Sequence, residues 1–163
     1  MRIWIVTHRV AALDNVLWFL SVIGRGGMLW LALGAIVAAA RQRVHPFTLM
    51  LIAILLASAM TDEIIKPAVD RRRPFDVLAG DVIGGRPKDA SFPSGHAANA
   101  FGGAAVMTRL APTGAAAWWT LAAAIAFSRV YLGVHFPLDV IAGAFVGLAA
   151  AWLAAALTRF PEL

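Results

Sequence analysis

The sequence predicts an all-α integral membrane protein: a helical bundle of about five transmembrane helices plus an N-terminal interfacial helix, in one domain over residues 1–163. Three observations predict it. Hydrophobic residues make up 61% of the chain and charged residues 14%, against roughly 45–50% and about 25% in soluble domains. Mean hydropathy is +0.77. The apolar residues gather into runs separated by short polar breaks, and the runs are rich in Ala and Gly, whose small side chains let helix backbones approach closely in lipid. A disordered chain and a soluble globule are thereby excluded. The lack of cysteine excludes disulfides, thiolate catalysis and cysteine-held metal. A net charge of +5 lies between apolar runs, which fits anionic lipid or an anionic substrate rather than nucleic acid.

Residues 1–10 carry Arg2 and Arg9 around a short apolar stretch, with no long core leading to a cleavage site, so no cleavable signal is expected. Val16–Ile23 is apolar but too short to span, and Gly24-Arg25-Gly26-Gly27 interrupts it. It reads either as an interfacial helix capped by Asp14 or Asn15, or as part of one long helix to Ala40 with Arg25 inside. Arg at a helix centre costs about 2.5–3.5 kcal/mol on insertion scales, which favours the interfacial helix.

A spanning helix needs about 20 apolar residues. Gly27–Ala40 is a first, short span ending at Arg41 and Arg43; Pro46–Ile65 is a second, with Thr61, Asp62 and Glu63 at its polar end. Pro67–Ser91 holds three prolines, three glycines and nine charged residues, so it is a loop outside the hydrocarbon. Pro93–Leu110, Ala115–Leu132 and Phe136–Leu157 are the third, fourth and fifth spans. Gly143 and Gly147 form a small-xxx-small pair, read as packing within the chain rather than as a dimer contact. Trp4, Trp18, Trp30, Trp118, Trp119 and Tyr131 stand near expected span ends, as interfacial aromatics do.

The informative residues are those a membrane protein should avoid. Lys66 follows the second span; Arg71, Arg72 and Arg73 come next; Ser94, Gly95 and His96 open the third; Ser128 and Arg129 close the fourth; His135 and Asp139 open the fifth. Loops after the second and fourth spans share a side, so these residues meet at one face. Ser94-Gly95-His96 stands where a helix begins, with free N–H groups and the positive dipole end. His135 and Asp139 are four apart and face the same way once a helix starts near Pro137. The carboxylate can accept Nδ1–H, leaving Nε2 as a nucleophile, while His96 serves as general acid. The site is one for a tetrahedral oxyanion. Arg71, Arg72, Arg86 and Lys88 read as loop charges at a headgroup surface. His8 and His45 belong to no motif. A metal site from His96, His135 and Asp139 has suitable residue types, but three neighbouring cations oppose it. A small anion transporter would explain the basic cluster but not the His–Asp pair with a second His.

Lys66-x6-Arg73-Pro74, Pro93-Ser94-Gly95-His96 and Ser128-Arg129-x5-His135-x3-Asp139 together resemble the three-part signature of type 2 phosphatidic acid phosphatases. The motifs span Lys66–Asp139, nearly half the chain, in order and at span ends. The better-known six-span bacterial members are longer, with an extra N-terminal helix. The resemblance implies a lipid phosphatase without metal or other cofactor. His135 would form a phosphohistidine, Asp139 would orient it, and His96 would protonate the leaving oxygen. Lys66, Arg73, Ser94, Gly95 and Arg129 would hold the phosphoryl oxygens. It favours a membrane-borne lipid phosphate as substrate, first a polyprenyl diphosphate of the undecaprenyl type, then phosphatidylglycerophosphate or phosphatidate. It also places the site on the extracytoplasmic face of the cell membrane. The positive-inside rule points the other way: outside the motif cations the site's face carries Arg2, Arg9, Arg25, Arg71, Arg72, Arg86 and Lys88, the opposite face only Arg41, Arg43, Arg109 and Arg159.

Overall fold

The computed structural model describes residues 8–78 and 81–158. Trp4 and Arg159 lie outside them. The described residues are helical, with no strand. Helix α1 (Ala11–Ile23) leads through a 3-10 turn, Arg25–Gly27, into α2 (Met28–Ala40). Next come α3 (His45–Ser58), α4 (Gly95–Leu110), α5 (Ala115–Tyr131) and α6 (Pro137–Leu157). Two stretches, His45–Val77 and Pro137–Leu157, are long and apolar enough to cross a membrane. Helices α4 and α5 have 16 and 17 residues, or about 24–26 Å at 1.5 Å per residue. They are shorter than the expected spans because Pro93 and Ser94 stay outside α4, and α5 stops at Tyr131.

Helix α1 starts earlier than expected and neither Asp14 nor Asn15 caps it. Val10 is its N-cap, without a side-chain bond. Tertiary contacts set the start instead. The Arg9 guanidinium donates to the Tyr131 carbonyl at 2.8 and 3.1 Å, and the Tyr131 hydroxyl donates to Asp14 Oδ1 at 2.7 Å. Tyr131 is thus a buried anchor rather than an interfacial aromatic. The chain then bends 51° between α1 and α2. Gly26 and Gly27 make the bend at φ 58° and 73°, a region that favours glycine. A Cβ on Gly27 would also stand 2.7 Å from Ile54 Cγ2. The break rules out a single straight helix from Val16 to Ala40.

Small residues build the centre. A Cβ on Gly143 would lie 2.4 Å from the Ser94 carbonyl oxygen, and one on Gly147 2.0 Å from that of Ala98. The pair is therefore consumed by the α4–α6 seam inside the chain. Gly103 likewise makes room for Trp30, which is fully buried against it rather than interfacial. The α4–α6 seam matters for the site, since it fixes the start of α4 beside the start of α6: Ser94 N–H donates to the Asp139 carbonyl at 2.9 Å.

Helix α3 does not end at Ser58. It continues through a π-helical stretch, Ala59–Ile65, into a last turn, Lys66–Val69. Such stretches are rare and recur at functional sites. Asp70, at φ 43°, then turns the chain into the long loop.

Candidate active site

The chain starts α6 with Pro137 in the first turn, after an extended Phe136. Asp139 at the third helical position accepts the Phe136 N–H at 2.9 Å through Oδ2. That bond holds its carboxylate beneath His135. Both residues are buried, at 2% and 0% exposure.

The ring of His135 has its two nitrogens in opposite roles. Nδ1 is 2.8 Å from the Ser91 carbonyl and Nε2 is 3.3 Å from Arg73 Nη1. A carbonyl only accepts and a guanidinium only donates. So Nδ1 carries the proton, and Nε2 presents its lone pair to the cation. The expected bond from Nδ1 to Asp139 is not the primary one. Asp139 Oδ2 stands 3.6 Å away, because the Ser91 carbonyl occupies the direct position. Burial, then the charges of Arg73 and Arg129, outweighs Asp139 and pushes the His135 imidazole down from 6.5 to about 4. It is neutral near pH 7.

Asp139 is held from several sides. Ser91 Oγ donates to Oδ2 at 2.6 Å and Arg71 Nη1 to Oδ1 at 2.8 Å. Arg71 also lies over the Phe136 ring, 4.3 Å from its centroid. Its role as a plain surface charge is thus overturned: it forms an ion pair with the most buried carboxylate of the site. Ser91 escaped notice too, since it lies outside the motifs.

Arg73 is nearly fully enclosed. It donates to the Asp89 carbonyl at 2.8 Å, to Asp89 Oδ1 at 2.9 Å and to the Val134 carbonyl at 2.9 Å. Lys66 Nζ contacts Asp62 Oδ1 at 2.6 Å and Asp89 Oδ2 at 2.5 Å. Asp89 therefore bridges the two motif cations. Burial raises its pKa, but Lys66 and Arg73 together prevail and lower it to about 2. Asp89 lies in the loop just before Ser94, outside the motifs, and no motif spacing marks it.

Ser94 caps α4, its Oγ 3.4 Å from the Ala97 N–H. Gly95 lies against the π-helical stretch, where a Cβ would meet Asp62 Oδ1 at 3.6 Å and Thr61 Oγ1 at 3.7 Å. His96 and Arg129 stand on the other side, against α1. His96 Nε2 is 3.2 Å from the Ser21 carbonyl, and Arg129 Nη1 donates to Ser21 Oγ. Both line a cavity of about 230 Å³ between α1 and the 83–87 loop, whose walls also hold Arg25 and Arg86. Ser128 beside Arg129 is turned back onto its own helix, donating to the Ile125 carbonyl at 2.6 Å.

The structure thus joins His135, Asp139 and Arg73 directly, links Lys66 to them through Asp89, and sets His96 and Arg129 along the adjoining cavity. Chemically, it offers a buried neutral imidazole whose unprotonated Nε2 faces Arg73, plus a second imidazole at a basic cavity.

Comparison with known proteins points to one family. The family model of the PAP2 superfamily matches residues 47–161. An undecaprenyl-diphosphatase from Sulfolobus acidocaldarius is 32% identical over 146 residues, covering 86% of this chain and 68% of the relative. A lipid A 4'-phosphatase from Porphyromonas gingivalis is 32% identical over 61% of this chain, which spans only 45% of that protein. Among solved structures, the phosphatidylglycerolphosphate phosphatase of Bacillus subtilis superposes with a TM-score of 0.78 at 25% identity, over 97% of this chain and 82% of that one. LpxE of Aquifex aeolicus gives 0.79 at 27% identity, over 94% and 91%. With the signature, the fold and a family match over most of its length, the chain belongs to the PAP2 superfamily.

Proposed function

We propose that this PAP2-type membrane phosphatase hydrolyses a lipid diphosphate, a polyprenyl diphosphate of the undecaprenyl type, through a phosphohistidine on His135. One observation carries it: Nδ1 is committed to the Ser91 carbonyl while Nε2 faces Arg73 at 3.3 Å. A nucleophilic lone pair thus points to where phosphoryl oxygens would collect. The undecaprenyl-diphosphatase relative supports the substrate.

In this reading Nε2 attacks phosphorus and His96 protonates the leaving oxygen, then draws a proton from the water that cleaves the N–P bond. Lys66, Arg73 and Arg129, with Ser94 Oγ and the Gly95 N–H, hold the phosphoryl oxygens. Asp139 fixes the loop and offsets the charge that His135 gains. The cations stabilise developing negative charge as magnesium does elsewhere; PAP2 enzymes need no metal. The whole of residues 1–163 serves as one catalytic unit. An anion transporter has no use for an imidazole so fixed between a carbonyl and a guanidinium.

Phosphatidylglycerophosphate is the second reading, favoured by the superposition on the Bacillus subtilis phosphatase; phosphatidate is a further phosphomonoester. Side-by-side rates in one detergent decide among these lipids. Activity should survive EDTA and yield to vanadate, and His135→Ala should abolish both turnover and labelled phosphoenzyme. His96→Ala should lose less on a nitrophenyl ester than on a lipid, since nitrophenolate needs no proton. Activity that dies with EDTA and returns with magnesium would overturn the mechanism.

In this arrangement α2 to α6 make five crossings of the cell membrane, with α1 packed obliquely at the surface. The site then faces outside the cytoplasm. A cysteine at Asp81, labelled in intact cells by an impermeant thiol reagent, supports that face; protection until lysis reverses it.

A further inference from the structure

Three cations near the site have a carboxylate. Lys66 and Arg73 share Asp89, and Arg71 has Asp139. The cavity of about 230 Å³ is different. Its wall carries Arg25, Arg86, Arg129 and His96, and no Asp or Glu. Among the described residues, none of these three arginines has a carboxylate oxygen within 4.0 Å. Arg129 is buried at 8% exposure, and its Nε has no hydrogen-bond partner. Guanidiniums gathered without counter-charge repel one another, and an unpaired buried donor loses the bond it had in water. An anionic phosphoryl group would answer both.

The walls are also built rather than incidental. Arg25 comes from the bend after α1, and Arg86 from the loop opposite. That loop is pinned to α1 at Gly84, where a Cβ would come 2.5 Å from Trp18 Cδ1. Gly84 has φ 85°, which favours glycine there independently of the close approach. Arg86 is steadied over Phe75, 5.5 Å from the ring centroid. His96, the proposed acid for the leaving oxygen, sits in the same wall.

We infer that Arg25 and Arg86, with Arg129, form a second phosphoryl subsite that takes the lipid-side phosphate of a diphosphate. The inference rests on the lipid-diphosphate reading above and deepens it. His135 Nε2 bonds to the terminal phosphorus as the bond from that phosphorus to the bridging oxygen breaks. The bridging oxygen takes its proton from His96 and leaves as part of a lipid monophosphate held by the arginines. Water then cleaves the N–P bond, returns a proton to His96 and releases inorganic phosphate. A lipid monophosphate places only an ester oxygen and its lipid in this cavity, with no second phosphoryl group for Arg25 and Arg86 to hold.

The test compares kcat/KM for undecaprenyl diphosphate with that for phosphatidate, in one detergent, for the unaltered protein, Arg25→Gln and Arg86→Gln. Each substitution should lower the diphosphate-to-monophosphate ratio about ten- to a hundredfold, the worth of a charged hydrogen bond. Arg43→Gln, between α2 and α3, should keep the ratio. As a second measurement, inorganic pyrophosphate should inhibit the unaltered protein at lower concentration than inorganic phosphate does, and both variants should bring the two constants together. An unchanged ratio with equal losses on both lipids overturns the subsite while leaving the phosphatase reading in place. Unaltered protein that turns over phosphatidate but no diphosphate overturns the diphosphate reading and the subsite with it.

Discussion

Arg71 reaches over the Phe136 ring to set its Nη1 2.8 Å from Oδ1 of Asp139, a carboxylate with no exposure of its own. One oxygen of Asp139 is thus spent on an arginine two residues before the motif arginine. The other is spent on Ser91 and the Phe136 N–H. The carboxylate holds the framework around His135 as much as the ring itself.

Arg71→Ala should therefore destabilise the fold and slow the chemistry together. Arg71 is about a third exposed, and Asp139 keeps its other partners, so the stability loss should be about 1–3 kcal/mol. Denaturation in detergent and kcat check this. Arg71→Lys should recover only part, because one ammonium cannot both stack on Phe136 and reach Oδ1. Full activity in Arg71→Ala would show that the ion pair does not support the site.

The pH dependence follows from burial of His135, whose imidazole titrates at about 4 rather than 6.5. A nitrophenyl ester needs no leaving-group proton, so its hydrolysis should stay level from pH 7 to about 5 and fall only near 4. Stability runs in the same sense. Between 6.5 and about 4 the unfolded chain binds a proton that the folded chain refuses, so stability declines as pH falls through that window. An acid limb at 6 to 7 on the nitrophenyl substrate would place His135 in water.

Asp89 is ionised over the whole working range, with its pKa at about 2, and occupies the two cations proposed to hold phosphoryl oxygens. Asp89→Asn should free charge for an incoming anion and tighten vanadate inhibition by about an order of magnitude. Weaker inhibition in Asp89→Asn would mean instead that the bridge positions Lys66 and Arg73 for the anion.

At the α4–α6 seam, Gly147→Ala would drive a methyl to 2.0 Å from the Ala98 carbonyl oxygen. Overpacking of this kind costs about 1–3 kcal/mol, read as a lower melting temperature in detergent. Gly143→Ala meets Ser94 itself, so its loss of kcat should exceed that of Gly147→Ala. Equal kcat losses would show that the seam does not position the start of α4.

The sequence carried the helices and the motif residues because both are local. Apolar run length marks α3 and α6, and fixed spacing in a helix start brings His135 and Asp139 to one face. Ser91, Arg71 and Asp89 lay beyond that reach. They belong to an irregular loop whose path depends on what Arg73 and Asp139 accept, and no periodicity encodes it. Trp30 was misplaced for a related reason: an aromatic near a span end reads as interfacial unless Gly103, some seventy residues on, is known to make room for it.

The π-helical stretch Ala59–Ile65 works as a register shim. An α-helix turns each residue by about 100°, so one residue taken up by wider winding rotates everything after it by that amount. Lys66 stands directly beyond the shim, and its meeting with Asp89 depends on that rotation. Removing a single apolar residue from the stretch would leave hydropathy nearly untouched and aim the lysine elsewhere. The winding of one helix, invisible in composition, thus sets where that charge is delivered.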